Sequence, residues 1–392
     1  MTGKLVAYIG SYRDAAGDGG GITVLDVSRD GRSLTPVSHV GEPKEAGYLA
    51  YVGGTLYAVD ERKNDGRGPV EPAASVHAFT VDQGDGSLTW LNARRAPGPR
   101  PTFLCADEAG KVLVTANHGD FEHVERVVRT PEGGWDVEYL YDDSTVILYG
   151  LEDDGSLGEI RDLHVFSGHG KDPNGSPQAG GHAQASPHAH CAVIDPSGRH
   201  VLVCDKGTDQ IFVFALGDTL EPEFTYRFEE ETGPRHLAFE PGTGRVFVTC
   251  EFSSELVSFD FDASSGKLRL LDRVSTVASG HTGGNEPAEV RVHPRGGFVY
   301  VNNRGEDSLA WFHTNHNGQL LRLGHVPLAR SLHPGVAARS FAFDPSGSFL
   351  LLADRPAGLV RSFAVDAEEC RLRPLATVAV AEPSFVAFAE LP

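Results

Sequence analysis

No apolar run among the 392 residues approaches the roughly 18 that a membrane-spanning helix needs, so no helical span is expected. The opening MTGKLVAYIGSY runs straight into a strand-like pattern without a signal-peptide core, and a cytoplasmic protein is expected. Basic charge is short. Lys and Arg number 34 against 54 Asp and Glu, a formal net charge of −20. That balance argues against nucleic acid and anionic membrane as partners, though arginines gathered locally would still suit a small anionic substrate. The five cysteines are an odd set without framework spacing or a CxxC pair, and most sit in apolar strand patterns as reduced core residues. No Gly-rich phosphate loop is present, so no nucleotide cofactor is implied. Helical periodicity over 12 residues is missing too, which leaves β-structure.

What is present suits turns and short strands. Gly (46) and Pro (24) are frequent and dispersed. The stretch DPSGRHVLVCDKGTDQIFVF from Asp195 is echoed by EPGTGRVFVTCEFSSELVSF from Glu240, HPRGGFVYVNNRGEDSLAWF from His293 and DPSGSFLLLADRPAGLVRSF from Asp344. The turn prolines Pro196, Pro241, Pro294 and Pro345 are spaced by 45, 53 and 51 residues. Weaker copies begin at Asp107 and Tyr51, and units end in a Gly-x-Leu phrase (GSLTWL, GSLGEI, GKLRLL, GQLLRL). Four short strands per unit of this length predict an all-β, seven-bladed β-propeller. EPSFVAFAEL near the C-terminus reads as an orphan inner strand that pairs with LVAYIGSY, closing the ring and removing sheet edges. Residues 1–392 therefore read as one domain. The spacing of 88 residues from Asp107 to Asp195 predicts an insertion in the third blade, at about 118–187, including the Gly/Pro/His-rich stretch from Gly168 to His190.

In a propeller, the start of each blade's first strand and the end of its second share one channel mouth. Ten positions after the turn residue stand Asp205, Asn303, Asp354 and Asn117. Asp and Asn there suit turn caps. Counting one extra turn residue in the Glu240 unit puts Glu251 at this place, a deviant fit for a general base. Five positions before the turn stand His190, Arg235 and Arg339, where other units have Ala288 and Thr102. Two readings fit these cations: an anion site, or ion pairs tying blades together. Arg304 adds a planar fork suited to carboxylate or phosphate; Arg355 could offer the same fork, although before Pro356 in a loop it also suits an exposed side chain. His236 should alternate away from Arg235 and pack between blades. Asp209, Glu255 and Asp307 recur at one register and read as structural.

PHAHCAVIDPSGRHVLVCDKGTDQIFVF, GPRHLAFEPGTGRVFVTCEFSSELVSF and NEPAEVRVHPRGGFVYVNNRGEDSLAWF resemble the seven-bladed propeller lactonase family. That family includes bacterial 6-phosphogluconolactonases and fungal carboxy-cis,cis-muconate cyclases. The resemblance is strongest from about Ser186 to Val365. It implies a channel-mouth site of one histidine, one glutamate and two arginines, here His190, Glu251, Arg235 and Arg304. The His-rich insertion departs from the sugar-phosphate enzymes and leaves the substrate open.

The reading is thus a lactonase acting on an anionic sugar-acid or muconate-like lactone. Glu251 and His190 are the catalytic candidates. Arg235, Arg304, Arg339, Asp205 and His188 are the substrate-binding candidates. Hydrolysis and cycloisomerisation both remain open. No cofactor is expected. A divalent metal on His182, His188 and His190 is an alternative, without a recognised ligand spacing. A non-catalytic binding scaffold is a third reading, although WD and GH do not recur together in each repeat as the signature of WD40 scaffolds requires. Oligomeric state is left open.

Overall fold

The computed structural model describes residues 3–63, 74–171, 183–332, 336–366, 368 and 370–392. Seven four-stranded antiparallel sheets stand as blades around a central channel. Blade one runs β30 (Pro383–Leu391), β1 (Lys4–Arg13), β2 (Gly19–Val27) and β3 (Leu34–Val40) from the channel outward. The inner two strands of the next six blades are β4 (Ala46–Val52) with β5 (Thr55–Asp60), β8 (Pro101–Asp107) with β9 (Val112–Asn117), β14 (Ala189–Ile194) with β15 (His200–Asp205), β18 (Pro234–Phe239) with β19 (Arg245–Cys250), β22 (Glu286–Val292) with β23 (Phe298–Arg304), and β26 (Ser340–Phe343) with β27 (Phe349–Asp354). As expected, the termini close the ring: β1 pairs with β30 from Lys4↔Leu391 to Gly10↔Phe385. No helix among the described residues is long and apolar enough to cross a membrane.

Second strands are buried along their whole length in β5, β9, β15 and β27. Neighbouring blades cover both of their faces, so they read as continuous apolar runs rather than alternation. Each buried Leu, Val or Phe there is worth about 1.5–3 kcal/mol. The repeating turns are closed by their own first residue. Asp195 accepts from the N–H groups of Ser197, Arg199 and His200 at 3.0, 2.8 and 2.7 Å, and Asp344 does the same for Ser346 and Phe349. The Gly-x-Leu phrases dock one blade on the next. Tyr8 Oη donates to Gly86 O at 3.0 Å, and Tyr57 Oη to Gly155 O at 2.8 Å. Gly86 has φ +82°, and a Cβ there would stand 2.9 Å from the Val6 side chain, so this docking turn requires glycine.

The third blade differs from the expected insertion. β12 (Thr145–Leu151) and β13 (Leu157–Val165) fall within 118–187 but are the blade's own third and fourth strands, with β12 paired on β9 from Asn117↔Thr145. The extra chain lies in two places. One is a separate hairpin, β10 (His123–Arg129) with β11 (Trp135–Tyr141). The other connects β13 to β14, and its residues 172–182 lie outside the described residues.

Candidate active site

The channel mouth is built from two rings of side chains. The inner strands supply one, in three of them through a β-bulge near the start. Pairing shifts register between Ala189 and Cys191, between Pro234 and His236, and between Pro101 and Phe103. The skipped residues are His190, Arg235 and Thr102, each turned into the channel. Arg339 precedes β26 at the same place and lines the same cavity.

The second ring corrects the sequence alignment. The Glu240 turn has no extra residue: Glu240 N–H bonds Arg245 O at 2.9 Å, as Asp195 N–H bonds His200 O at 2.9 Å. Cys250 therefore occupies the Asp205 register, opposite Pro234, as Asn303 sits opposite Pro287 and Asn117 opposite Pro101. Glu251 is one step further on, level with Lys206, Arg304, His118, Glu61 and Arg355. That register is polar in all these blades, so Glu251 is no deviant from a turn cap. The cap residues behave structurally: Asn117 Nδ2 donates to Gly98 O at 2.7 Å, and Asn303 Nδ2 to Thr276 O at 3.1 Å.

Together the rings enclose a cavity of about 200 Å³. Five cationic side chains (Arg100, Lys206, Arg235, Arg304, Arg339) and four carboxylates (Glu61, Asp120, Glu251, Glu286) line it. The lining thus carries one more cation than carboxylate, in a chain of net charge −20.

Glu251 is the electrostatic centre. Its Oε1 stands 2.8 Å from Lys206 Nζ, and its Oε2 lies 2.8 Å from Arg235 Nε and 3.0 Å from Arg304 Nη2. The Lys206 contact is a hydrogen bond; the two arginine contacts are close but off hydrogen-bond alignment, so charge dominates them. Burial pushes the Glu251 carboxyl up, but Lys206, Arg304 and Arg235 outweigh it and hold it well below the usual carboxylate range. A carboxylate so held is a weak proton acceptor. Arg304 is shared with Glu286 Oε2 at 3.2 Å. Arg235 Nη1 is buried and finds no hydrogen-bond acceptor among the described residues.

His190 is 8 % exposed and lines the cavity. Burial, then Arg235, His236 and Lys206, drive its pKa well below 6.5, so the imidazole is neutral. Its Nδ1 is engaged 3.1 Å from His236 Nε2, which leaves Nε2 for the cavity. His236 does not alternate away as expected. The bulge at Arg235 breaks the alternation, and the ring packs under His190 with centroids 4.9 Å apart.

Two sequence-predicted ligand contacts are not at the cavity. Asp205 is fully buried and spends its oxygens on His188 N–H (2.6 Å), Gly207 N–H (2.9 Å) and Thr208 Oγ1 (2.7 Å), which makes it a cap. His188 lies behind the wall, stacked on His118 at 4.5 Å, with Nδ1 at 2.9 Å from His118 O. For the metal alternative, His182 lies outside the described residues, and no group of three or more His, Cys, Asp or Glu placed to hold a metal occurs among the described ones. Asp209 and Asp307 are structural as expected: Asp209 caps Thr232 and Gly233 N–H groups at 3.0 and 2.7 Å, and Asp307 accepts from Ser331 N–H at 2.9 Å. Sequence reading passed over Lys206 and Glu286 as site residues. Lys206 shares the register of Arg304, eleven positions after the turn residue, and was readable there; nothing in the repeat marks Glu286.

A family model described as "Lactonase, 7-bladed beta-propeller" matches residues 6–388. The chain belongs to this family. The lactonase is 28 % identical over 391 residues to a 6-phosphogluconolactonase of Bacillus subtilis, covering 98 % of each chain. It is 26 % identical over 319 residues to a 6-phosphogluconolactonase of Pectobacterium carotovorum, covering 80 % of this chain and 81 % of that one. Among solved structures it matches the periplasmic gluconolactonase of Pseudomonas aeruginosa with a TM-score of 0.80 and 25 % identity, over 99 % and 100 % of the two chains. The lactonase is accordingly an enzyme of the lactone-hydrolase type.

Proposed function

We propose that the cavity hydrolyses the lactone of an anionic sugar acid, with His190 as the base. The observation that carries this is a neutral imidazole, His190, in one cavity with the cationic side chains of Lys206, Arg235, Arg304 and Arg339. Water attacks the lactone carbonyl carbon while His190 Nε2 takes its proton. The carbonyl electron pair moves to oxygen, where Arg235 and Lys206 stabilise it. As the tetrahedral centre collapses, the ring C–O bond breaks and the departing alkoxide takes the proton back from the His190 imidazolium. The product is a hydroxy acid, which releases a proton to solvent at neutral pH. Glu251 stays ionised throughout and keeps Lys206, Arg235 and Arg304 together.

A second basin of about 390 Å³ adjoins the cavity and shares Glu61, Arg100 and Arg339 with it. Its cations Arg13, Arg62, Lys63 and Arg355 are held by carboxylates, as in Arg13–Glu45 at 2.7 Å and Arg355–Glu382 at 2.6 Å. Arginines oriented this way suit a phosphate at the far end of the substrate. A phosphorylated sugar lactone is therefore the favoured substrate, in keeping with the names of the Bacillus and Pectobacterium relatives. The free thiols of Cys105, Cys191, Cys204, Cys250 and Cys370 favour a reducing compartment, the cytoplasm. Acid release measured by pH-stat on 6-phosphogluconolactone, glucono-lactone and a muconolactone tests the reading. Turnover of the phosphorylated lactone above its spontaneous hydrolysis is expected; silence on all three would overturn the proposal.

A further inference from the structure

The floor of the cavity carries a chain of buried polar groups that the reaction above does not yet use. His236 separates the cavity from a second one of about 580 Å³ at the opposite end of the channel, lined by Tyr48, Phe103, Phe385, Glu289 and Arg291 among others. His236 is 4 % exposed and Glu289 2 %. On the upper side, His236 Nε2 meets His190 Nδ1 at 3.1 Å. On the lower side, His236 Nδ1 faces Glu289 Oε1 at 3.6 Å. Arg291 Nε lies 3.1 Å from the same Glu289 oxygen and its Nη2 donates to Tyr48 Oη at 3.3 Å. The backbones beneath are pinned: Glu289 N–H bonds Asn302 Oδ1 at 2.8 Å, and Thr102 Oγ1 bonds His190 O at 3.2 Å. Phe103 packs edge-on to the His236 ring at 5.3 Å, which fixes its plane.

We propose that Glu289 and His236 are positioning residues that select the tautomer of His190. An ionised carboxylate accepts protons and donates none, so it favours the proton on His236 Nδ1. His236 Nε2 is then a lone pair, and the short contact above it requires the proton on His190 Nδ1. That leaves the His190 Nε2 lone pair facing the cavity, as a base requires. The opposite arrangement would set the His236 Nδ1 lone pair against the Glu289 carboxylate. The same carboxylate also favours the imidazolium that His190 becomes when it takes the proton from water. The charged and titratable groups around His236 are His190 above, Arg235 beside it in the strand, Glu289 and Arg291 from β22, and Tyr48 from β4.

The inference rests on His190 being the base, and its first test needs neither substrate nor variant. In ¹⁵N-histidine-labelled protein near pH 7.5, side-chain ¹⁵N–¹H correlation, assigned with His190→Gln, should show His190 protonated at Nδ1 only. A His190 protonated at Nε2 would overturn the proposal. Glu289→Gln offers either an acceptor or a donor to His236, so selection is lost and both tautomers should appear. On the lactone identified by acid release, its kcat should fall about 10–100-fold with little change in KM, and the acid limb of kcat/KM should move to lower pH. Unchanged kcat and pH profile in Glu289→Gln would overturn it. The expected tautomer without turnover of any lactone would uphold this geometry while removing the hydrolytic reading.

Discussion

Replacing Glu251 with glutamine removes one charge and almost no volume. At an effective dielectric constant of about 20, each contact at 2.8–3.0 Å carries roughly 6 kcal/mol of gross attraction. Desolvation of the four groups offsets much of that. What remains when one member of such a buried set is lost is about 3–5 kcal/mol, because the other charges stay behind uncompensated. For 392 residues, at about 2.1 cal/mol/K per residue, the expected drop in Tm is about 4–6 °C. The three cations left without Glu251 should also bind anions more tightly. Inorganic phosphate at about 100 times its Kd returns about 2.7 kcal/mol to whichever form binds it. Thermal unfolding of both proteins with and without phosphate is the assay. Glu251→Gln should be destabilised alone and gain more from phosphate than wild type does. A Tm within about 1 °C of wild type, with no added phosphate response, would refute the counter-ion role.

His190→Gln should lose about 10²–10⁴-fold in kcat while keeping substrate affinity, read by acid release. Burial lowers His77 and His236 to about 4 and His188 to about 3. The unfolded chain takes up protons as pH falls through about 6.5 and the native chain does not, so stability is complete above about 6.5 and declines down to about 4. For His236 alone the loss approaches about 3 kcal/mol, and a Tm that stays flat across this window would contradict it. Arg355→Ala should raise KM for a phosphorylated lactone and leave an unphosphorylated one unaffected; equal effects on both would remove phosphate from the outer basin. Tyr57→Phe should cost about 0.5–1.5 kcal/mol by denaturant titration, because the Gly155 carbonyl loses the donor that docks blade two on blade three.

The ring was legible because its turns repeat one hydrogen-bond pattern, which demands the same residue types each time. His190, Arg235 and Arg339 stood out for the complementary reason: the strand start requires no charge, since Ala288 and Thr102 fill it elsewhere. Glu251 was found through a miscount, and its register, once corrected, exposes Lys206 as its partner. His236 was misread because strand alternation fails at a bulge, and a bulge leaves no mark in residue pattern. Asp205 and His188 were assigned to the ligand although one spends its oxygens on backbone N–H groups and the other lies behind His118. The hairpin β10–β11 escaped because its apolar residues, Val124, Val127 and Trp135 among them, are exposed and outside the repeat.

The most direct test of the account is the pH dependence of kcat/KM on the hydrolysed lactone for wild type, His190→Gln and Glu251→Gln. Wild type should show an acid limb below the ordinary histidine value, set by the neutral imidazole that accepts the proton from water. Glu251→Gln should keep that limb at a lower plateau, and His190→Gln should lose it. A limb that survives in His190→Gln and vanishes in Glu251→Gln would make the glutamate the base and contradict the account.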